Sequence, residues 1–332
     1  MKKVPFYLSL ALVLAAFAAL IYAPAAAAEG ARRGLAVCAG VIIPSLLPFL
    51  ILSALLTALG LPQLLSGLMG PAVTKLFGVS GKAAAPFLLG LTGGYPVGAA
   101  AVAGLVKRGE IDTEEAAHLL PFCNNTGPAF IIGAAGSGIF GSAEAGLLLY
   151  LSHILAAIAV GALLSIGRPR TAAERIQAPP PEPSLAQILP ESVKSAVTAS
   201  LNICGFVVFF SVVTALLDAL GVFSNAAGWL AAHLGLELHF TRALLTGFLE
   251  LGGGISAMDG LSDAPRNLAL ASFILGFGGL SVHCQTLAAV ADAGIGTRRH
   301  FFGRLLHGAL SALFAYLFSA LNFRLPLPII NL

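Results

Sequence analysis

The sequence predicts an all-α polytopic membrane protein, with about seven transmembrane helices and two re-entrant hairpins arranged as an inverted repeat. Three observations predict it. Hydrophobic residues make up 58% of the 332 positions and charged residues only 10%, against about 25% in a soluble domain, too few to cover a water-facing surface. The apolar runs are long and do not alternate, so they suit helices of about 20 residues and not membrane strands of about 10. Finally, an order of unusual elements in the first half of the chain recurs in the second.

Candidate spans lie near 4–22, 34–60, 118–140, 144–166, 192–220, 268–292 and 300–321. In the first, Lys2 and Lys3 precede an apolar stretch to Tyr22 and then PAAAAEGA, which fits both a cleaved signal peptide and a retained helix. Residues 1–33 therefore read as an N-terminal membrane helix or signal-like segment with an outer loop. Two further apolar stretches are interrupted at their middles by glycine and proline: APFLLGLTGGYPVGAAAVAGLV within 83–106 and ALLTGFLELGGGISAMDGLSDAP at 243–265. A continuous helix through GG-x-P or GGG is unfavourable, so both read as re-entrant hairpins; an ordinary span with a flexible glycine patch is the alternative. Segments 61–82 and 222–242 contain amphipathic stretches suited to opposite faces of the bilayer. The Pro-rich cytoplasmic linker 167–191, with Pro179 to Pro181 at its centre, divides the chain into units 34–166 and 192–321, and 322–332 is a C-terminal tail.

Basic residues set the orientation. With a cytoplasmic N-terminus, Lys2, Lys3, Lys75, Lys82, Lys107, Arg108, Arg168, Arg170, Arg175, Lys194, Arg298, Arg299 and Arg304 fall inside or at the inner boundary, and Arg32, Arg33, Arg242, Arg266 and Arg324 outside. Making either hairpin a full span would weaken that bias. Each unit then crosses an odd number of times, so the second is upside down relative to the first. ALLTALG at 54–60 and ALLDALG at 215–221 mark equivalent points, and Gly90 corresponds to Gly247. Such inverted repeats bring two broken elements together near the midplane, where half-helix ends can hold a polar ligand.

Polar residues at membrane depth supply the candidate site. In PFCNNTGPAF (121–130), Gly127-Pro128 interrupts a helix beside Asn124, Asn125 and Thr126; these groups either contact a ligand or bond between helices. The tip of the first hairpin offers Thr92, Gly93, Gly94 and Tyr95, and the second offers Glu250 and Gly252. An acid inside a membrane hairpin is expensive unless paired, protonated or hydrated, so Glu250 reads as a proton- or cation-coupling carboxylate or ligand contact, or else as a headgroup-facing residue of a shallower hairpin. In FGGLSVHCQT (277–286), Ser281, His283 and Gln285 converge if Gly278-Gly279 loosens the helix.

Other classes have little support. Cys38, Cys123, Cys204 and Cys284 fall in apolar segments without metal-ligand spacing and read as small buried hydrophobes. No residue set combines a nucleophile with its base, no ATP-binding motif is present, and the small basic excess suits lipid headgroups better than nucleic acid. No catalytic residue, resident metal or cofactor is expected.

The stretch GLTGGYPVGAAAVAGLVKRGEIDTEEAAHLLPFCNNTGPAFIIGAAGSGIFG at 90–141 resembles the signature of the YlbJ-type sporulation integral membrane proteins, and the likeness spans about 34–320. The resemblance implies two units of the nucleoside recognition, or Gate, type and an association with making resistant endospores. More distantly it is similar to concentrative nucleoside transporters, which implies a solute held between hairpin tips and unwound helices. That implication falls on Gly93, Gly94 and Tyr95 with Asn124, Asn125 and Thr126, and on Glu250 and Gly252 with Ser281 and His283; the transporters' own motifs are not closely reproduced. The expectation is a multi-pass protein of the cell membrane, a permease or solute-binding protein for a small polar, nucleoside-like solute. The alternative is a non-transporting protein of spore envelope assembly. Homo-oligomers and sporulation membrane partners are compatible with either.

Overall fold

The computed structural model describes residues 3–167 and 184–321. Positions 168–183 of the expected linker, the tail from 322, Lys2, Arg168, Arg170, Arg175 and Arg324 lie outside the described residues.

Every described element is helical. Helix α1 (Lys3–Tyr22) meets α2 (Pro24–Val37) at a bend of about 100°. Residues 24–33, expected as an outer loop, are helical because Pro24 sits at a helix start where no N–H is needed and alanine follows it. A π turn, Cys38–Ile42, joins α2 to α3 (Ile43–Ala58). Next come α4 (Leu61–Phe77), the hairpin α5 (Ala84–Gly93) and α6 (Val97–Lys107), then α7 (Thr113–Cys123). Beyond a break the chain winds again as a π-helical stretch, Ala129–Ile139, before α8 (Ala143–Leu164).

The same order then repeats. Helix α9 (Leu185–Ala219) is followed by α10 (Val222–Leu234), the hairpin α11 (Leu238–Leu249) and α12 (Leu251–Ser256), the broken pair α13 (Pro265–Phe277) and α14 (Gly279–Val290), and α15 (Arg298–Ala320). Helix α9 begins inside the expected linker, where Ser184 and Gln187 form a capping box. The matching heptapeptides have one local function: Gly60 (φ 87°) and Gly221 (φ 72°) end the long helices in the left-handed conformation open to glycine.

By length and composition, α8, α9, the α13–α14 run and α15 can each cross a bilayer, and counting two bent pairs as spans gives up to six. The expected span at 118–140 is instead two short pieces around a break. Large apolar side chains lie open on α1, α4 and α9, among them Leu12, Phe17, Leu68, Leu201 and Phe209; a surface of this kind requires lipid, not water. Three buried apolar clusters hold the fold. One surrounds α5 and α6, with Phe77, Phe87 and Phe122 in mutual contact; one surrounds α11 to α13; the third joins α2 and α3 to α9.

Each hairpin is clasped at its open end. Lys82 Nζ donates to the Glu110 carbonyl across the first, and Arg266 pairs with Glu237 across the second. Their arms touch at glycine: a Cβ at Gly90 would lie 3.2 Å from the Gly98 Cα, and one at Gly254 would lie 2.2 Å from the Gly247 Cα.

Candidate functional site

Each hairpin packs on the break that follows it. The first straddles the end of α7: Cβ atoms at Gly90 and Gly98 would meet the Cys123 carbonyl oxygen at 1.6 and 1.8 Å. Only bare glycine backbone can approach so closely. The Ala99 N–H donates to Asn124 Oδ1 at 3.3 Å, fastening the second arm to the same place. In the second hairpin the close approach comes from Gly279, whose Cβ would lie 2.9 Å from the Gly247 oxygen. Gly278 (φ 89°) and Gly279 (φ 73°) supply the left-handed turn that separates α13 from α14.

The two tip-and-break assemblies then meet one another. Thr126 Oγ1 donates to the Leu275 carbonyl at 2.8 Å, Asn124 Nδ2 donates to Thr286 Oγ1 at 2.8 Å, and Tyr95 Oη lies beside Gly278. Between them is a cavity of about 50 Å³ whose wall includes Tyr95, Thr126, Glu250, Gly252, Ser281 and Gln285. Apolar residues of α3 and α9 close the remaining side, with Ile42 and Val207 among them.

Glu250 is 4% exposed. It caps α12, its two oxygens accepting from the Gly252 N–H at 2.8 Å and from the Gly253 N–H. The donors that offset its burial are thus its own hairpin's backbone, near the positive end of a short helix. Ser281 Oγ, fully buried on the cavity wall, has no hydrogen-bond partner among the described residues.

Other expected site residues lie elsewhere. Thr92 is exposed on α5, its hydroxyl bonded to the Leu88 carbonyl. Gly93 and Gly94 form the tip behind Tyr95, Gly94 packed against Gly127. Asn124 and Asn125 are wholly buried and held by protein: Asn125 Nδ2 donates to the Phe122 carbonyl at 2.7 Å, and its Oδ1 accepts from Arg304 at 3.0 Å. His283 faces away from Ser281 and Gln285. Because α14 is a regular helix, positions four apart share a face and the one between them does not; His283 packs instead on Phe277, His300 and Phe301.

Arg304 is corrected most. It is not an exposed basic residue but is fully buried beneath the tip of the first hairpin, donating to Tyr95 Oη, to Asn125 Oδ1 and, at 2.8 Å, to His307 Nδ1. His300, Arg304, His307 and Ser311 form a buried stripe along α15. Their i, i+4, i+7, i+11 spacing, in HFFGRLLHGALS, is the signal that would have found them. His153 of α8 joins this group, its ring centroid 4.4 Å from that of His307, and its Nε2 accepts from the Thr126 N–H at 3.2 Å. Among the described residues, no group of three or more His, Cys, Asp and Glu could hold a metal ion.

Comparison with known proteins gives two matches. A family model described as nucleoside recognition, Gate, matches residues 39–172. A sporulation integral membrane protein, YlbJ, from Bacillus subtilis (strain 168) is 33% identical over 327 residues, covering 90% of this chain and 79% of the relative. No solved structure matches.

Proposed function

The chain belongs to the YlbJ-type sporulation integral membrane proteins, and within that family we propose that it is a permease or solute-binding protein of the cell membrane. A small polar solute is held where the two hairpin tips and two helix breaks meet. One observation carries the reading: tips and breaks from separate halves of the chain meet around a small, mostly apolar cavity whose wall includes the carboxylate of Glu250 and the hydroxyl of Ser281, which has no partner among the described residues. Buried polar groups without partners are rare, and in a cavity they mark where a ligand completes the bonding.

The cavity's volume says how such a protein works. About 50 Å³ is far below the roughly 300–1,000 Å³ of pockets for drug-sized ligands. The described state is therefore closed, and a nucleoside-sized solute enters only if a hairpin moves. Beside the first hairpin lies a groove of about 520 Å³ between α3, α5, α6 and α9, reaching from Pro96 and Val97 near the tip to Arg108 and Glu191. It is the natural way in, and the space toward which the hairpin can shift. In this reading both hairpins are re-entrant, the units are inverted, and the N-terminus and the Lys107 loop face the cytoplasm. A proton or cation that meets Glu250 couples the movement to a gradient.

A second reading, spore envelope assembly without transport, is favoured by the internal bonding of Asn124 and Asn125, which makes those amides ties between helices. Purified protein in liposomes separates the two. Saturable uptake from a panel of nucleosides and small carboxylates, lost in Glu250→Gln while the protein stays inserted and folded, is the expected result. Absence of uptake across the panel establishes the assembly reading, and uptake with unchanged ion and pH dependence in Glu250→Gln removes the coupling role.

A further inference from the structure

Arg304 poses a problem of charge. Its guanidinium is fully buried among membrane helices, and among the described residues no carboxylate pairs with it. Its protein partners, Tyr95 Oη, Asn125 Oδ1 and His307 Nδ1, are neutral acceptors. The buried acid of the second hairpin, Glu250, directs its oxygens to backbone N–H groups of its own hairpin. An unpaired buried charge is costly, and neutral dipoles offset only part of that cost.

The hydrogen bonds also leave donors over. A guanidinium carries five N–H donors, of which this one uses three; Nε–H and the second Nη2–H remain, and Nε has no partner in the protein. His307 accepts at Nδ1, so in the neutral ring its Nε2 bears the proton, and that atom is unpartnered too. His153 accepts at Nε2, so its proton is on Nδ1, which is likewise unpartnered. Three side chains in mutual contact therefore present N–H groups without a well-formed hydrogen bond among the described residues, the His153 carbonyl lying close to the His307 ring, around a cation with no counter-charge. His300, one turn before Arg304, donates through Nδ1 to the Leu120 carbonyl at 3.2 Å and leaves its Nε2 unpartnered.

We propose that Arg304, with His153 and His307, forms a binding site for an oxyanion, the carboxylate or phosphate of a free ion or of a larger solute. The free donors on Arg304, Nε–H and one Nη2–H, suit the oxygens of such a group. Tyr95 is the door to it. Its ring lines the central cavity and its hydroxyl holds Nη2, so a ligand arriving from the cavity reaches Arg304 by displacing one side chain. The site stands on the buried charge and its surplus donors, and does not depend on whether the protein transports.

Thermal unfolding of the purified full-length protein in neutral detergent tests it, with acetate, inorganic phosphate, adenosine or adenosine monophosphate titrated at constant ionic strength in chloride. Oxyanions should raise the melting temperature saturably and adenosine should not. Equal action of phosphate and the nucleotide identifies a free ion, and stronger action of the nucleotide identifies the anionic group of a larger solute. Arg304→Gln should lose at least about tenfold in oxyanion affinity, the scale of one charge-assisted hydrogen bond. Tyr95→Phe removes the competing hydroxyl and should tighten oxyanion binding severalfold. No oxyanion effect on the wild type, or an effect that survives Arg304→Gln, overturns the proposal. Should Arg304→Gln fail to fold, Tyr95→Phe decides alone: unchanged or weaker oxyanion binding overturns it.

Discussion

The two halves of the chain build the same frame and give it different chemistry. Both run from a long helix through a short one to a hairpin, a broken helix and a final helix. In the first half the hairpin tip is neutral, Gly94-Tyr95, and the break runs through Asn124, Asn125, Thr126 and Gly127, two amides and a hydroxyl before a glycine. In the second the tip carries Glu250, the break is a glycine pair, and the final helix carries Arg304. The second half supplies both buried charges; Glu250 is satisfied within its own hairpin, whereas Arg304 draws two of its three partners from the first half. Arg304 reaches across to Tyr95 and Asn125, so neither half has a complete polar centre alone. A repeated frame can thus be asymmetric in function: backbone geometry is shared while each charge is placed once.

The largest effect that would break the comparison lies at the equivalent glycines, Gly90 and Gly247. A methyl at Gly90 meets the Cys123 carbonyl oxygen at 1.6 Å, a backbone atom with little freedom to move, whereas one at Gly247 meets a side chain, Ile274, with Cγ1 at 2.6 Å. Gly90→Ala should destabilise by more than about 3 kcal/mol, beyond the usual range for overpacking, and Gly247→Ala by about 1–2 kcal/mol. Yields of folded protein and unfolding temperatures in detergent measure both. Equal losses would mean that the hairpins are held with the same rigidity, and the contrast between the halves would fail.

How far the sequence reveals this arrangement depends on what kind of signal each residue leaves. Glycine and proline interruptions leave a strong one, so the hairpins and both breaks are legible, as is the pairing of Gly90 with Gly247. Residues 24–33 mislead because alanine mixed with Glu29, Arg32 and Arg33 looks like a loop after an apolar span, yet the same residues are good helix formers that pack on α9. Arg304 misleads for a different reason. A basic residue near the start of a span ordinarily marks a membrane boundary, and only its register with His300, His307 and Ser311 places it inward. His283 was grouped with Ser281 and Gln285 on the assumption of a loosened helix, but the break is confined to Gly278-Gly279 and α14 is regular beyond it.

A second, intermediate test separates polar residues that hold the frame from those that face the cavity. Asn125 is bonded to Arg304 and to the Phe122 carbonyl, so Asn125→Ala removes a charge-assisted bond and should destabilise by about 2–3 kcal/mol. Ser281 on the cavity wall has no partner, so Ser281→Ala should leave stability within about 0.5 kcal/mol while weakening solute binding. Unfolding curves set beside binding titrations for the two variants give the comparison. A stability loss in Ser281→Ala as large as that in Asn125→Ala would place both in the frame and leave the cavity wall without a free polar group.

The smallest expected effect concerns the clasps at the open ends of the hairpins. Arg266 and Glu237 pair at 2.6 Å with both side chains more than half exposed, and Lys82 bonds the Glu110 carbonyl at 3.3 Å. Exposed pairs contribute about 0–1 kcal/mol, less at high salt, so Arg266→Ala should barely move the unfolding temperature. Its consequence would be local. The first hairpin is held by its clasp and also by Cys123 and Asn124 wedged between its arms, whereas the second has a shorter arm, α12, of 6 residues, packed through Leu251 and Ile255. Loss of the clasp should therefore loosen the second hairpin more than the first. Hydrogen exchange should show faster opening of residues 238–256 in Arg266→Ala, and a smaller change over 84–107 when Lys82 is replaced by alanine. Equal changes in the two hairpins would assign their rigidity to the shared frame, and the shorter arm of the second would no longer set it apart.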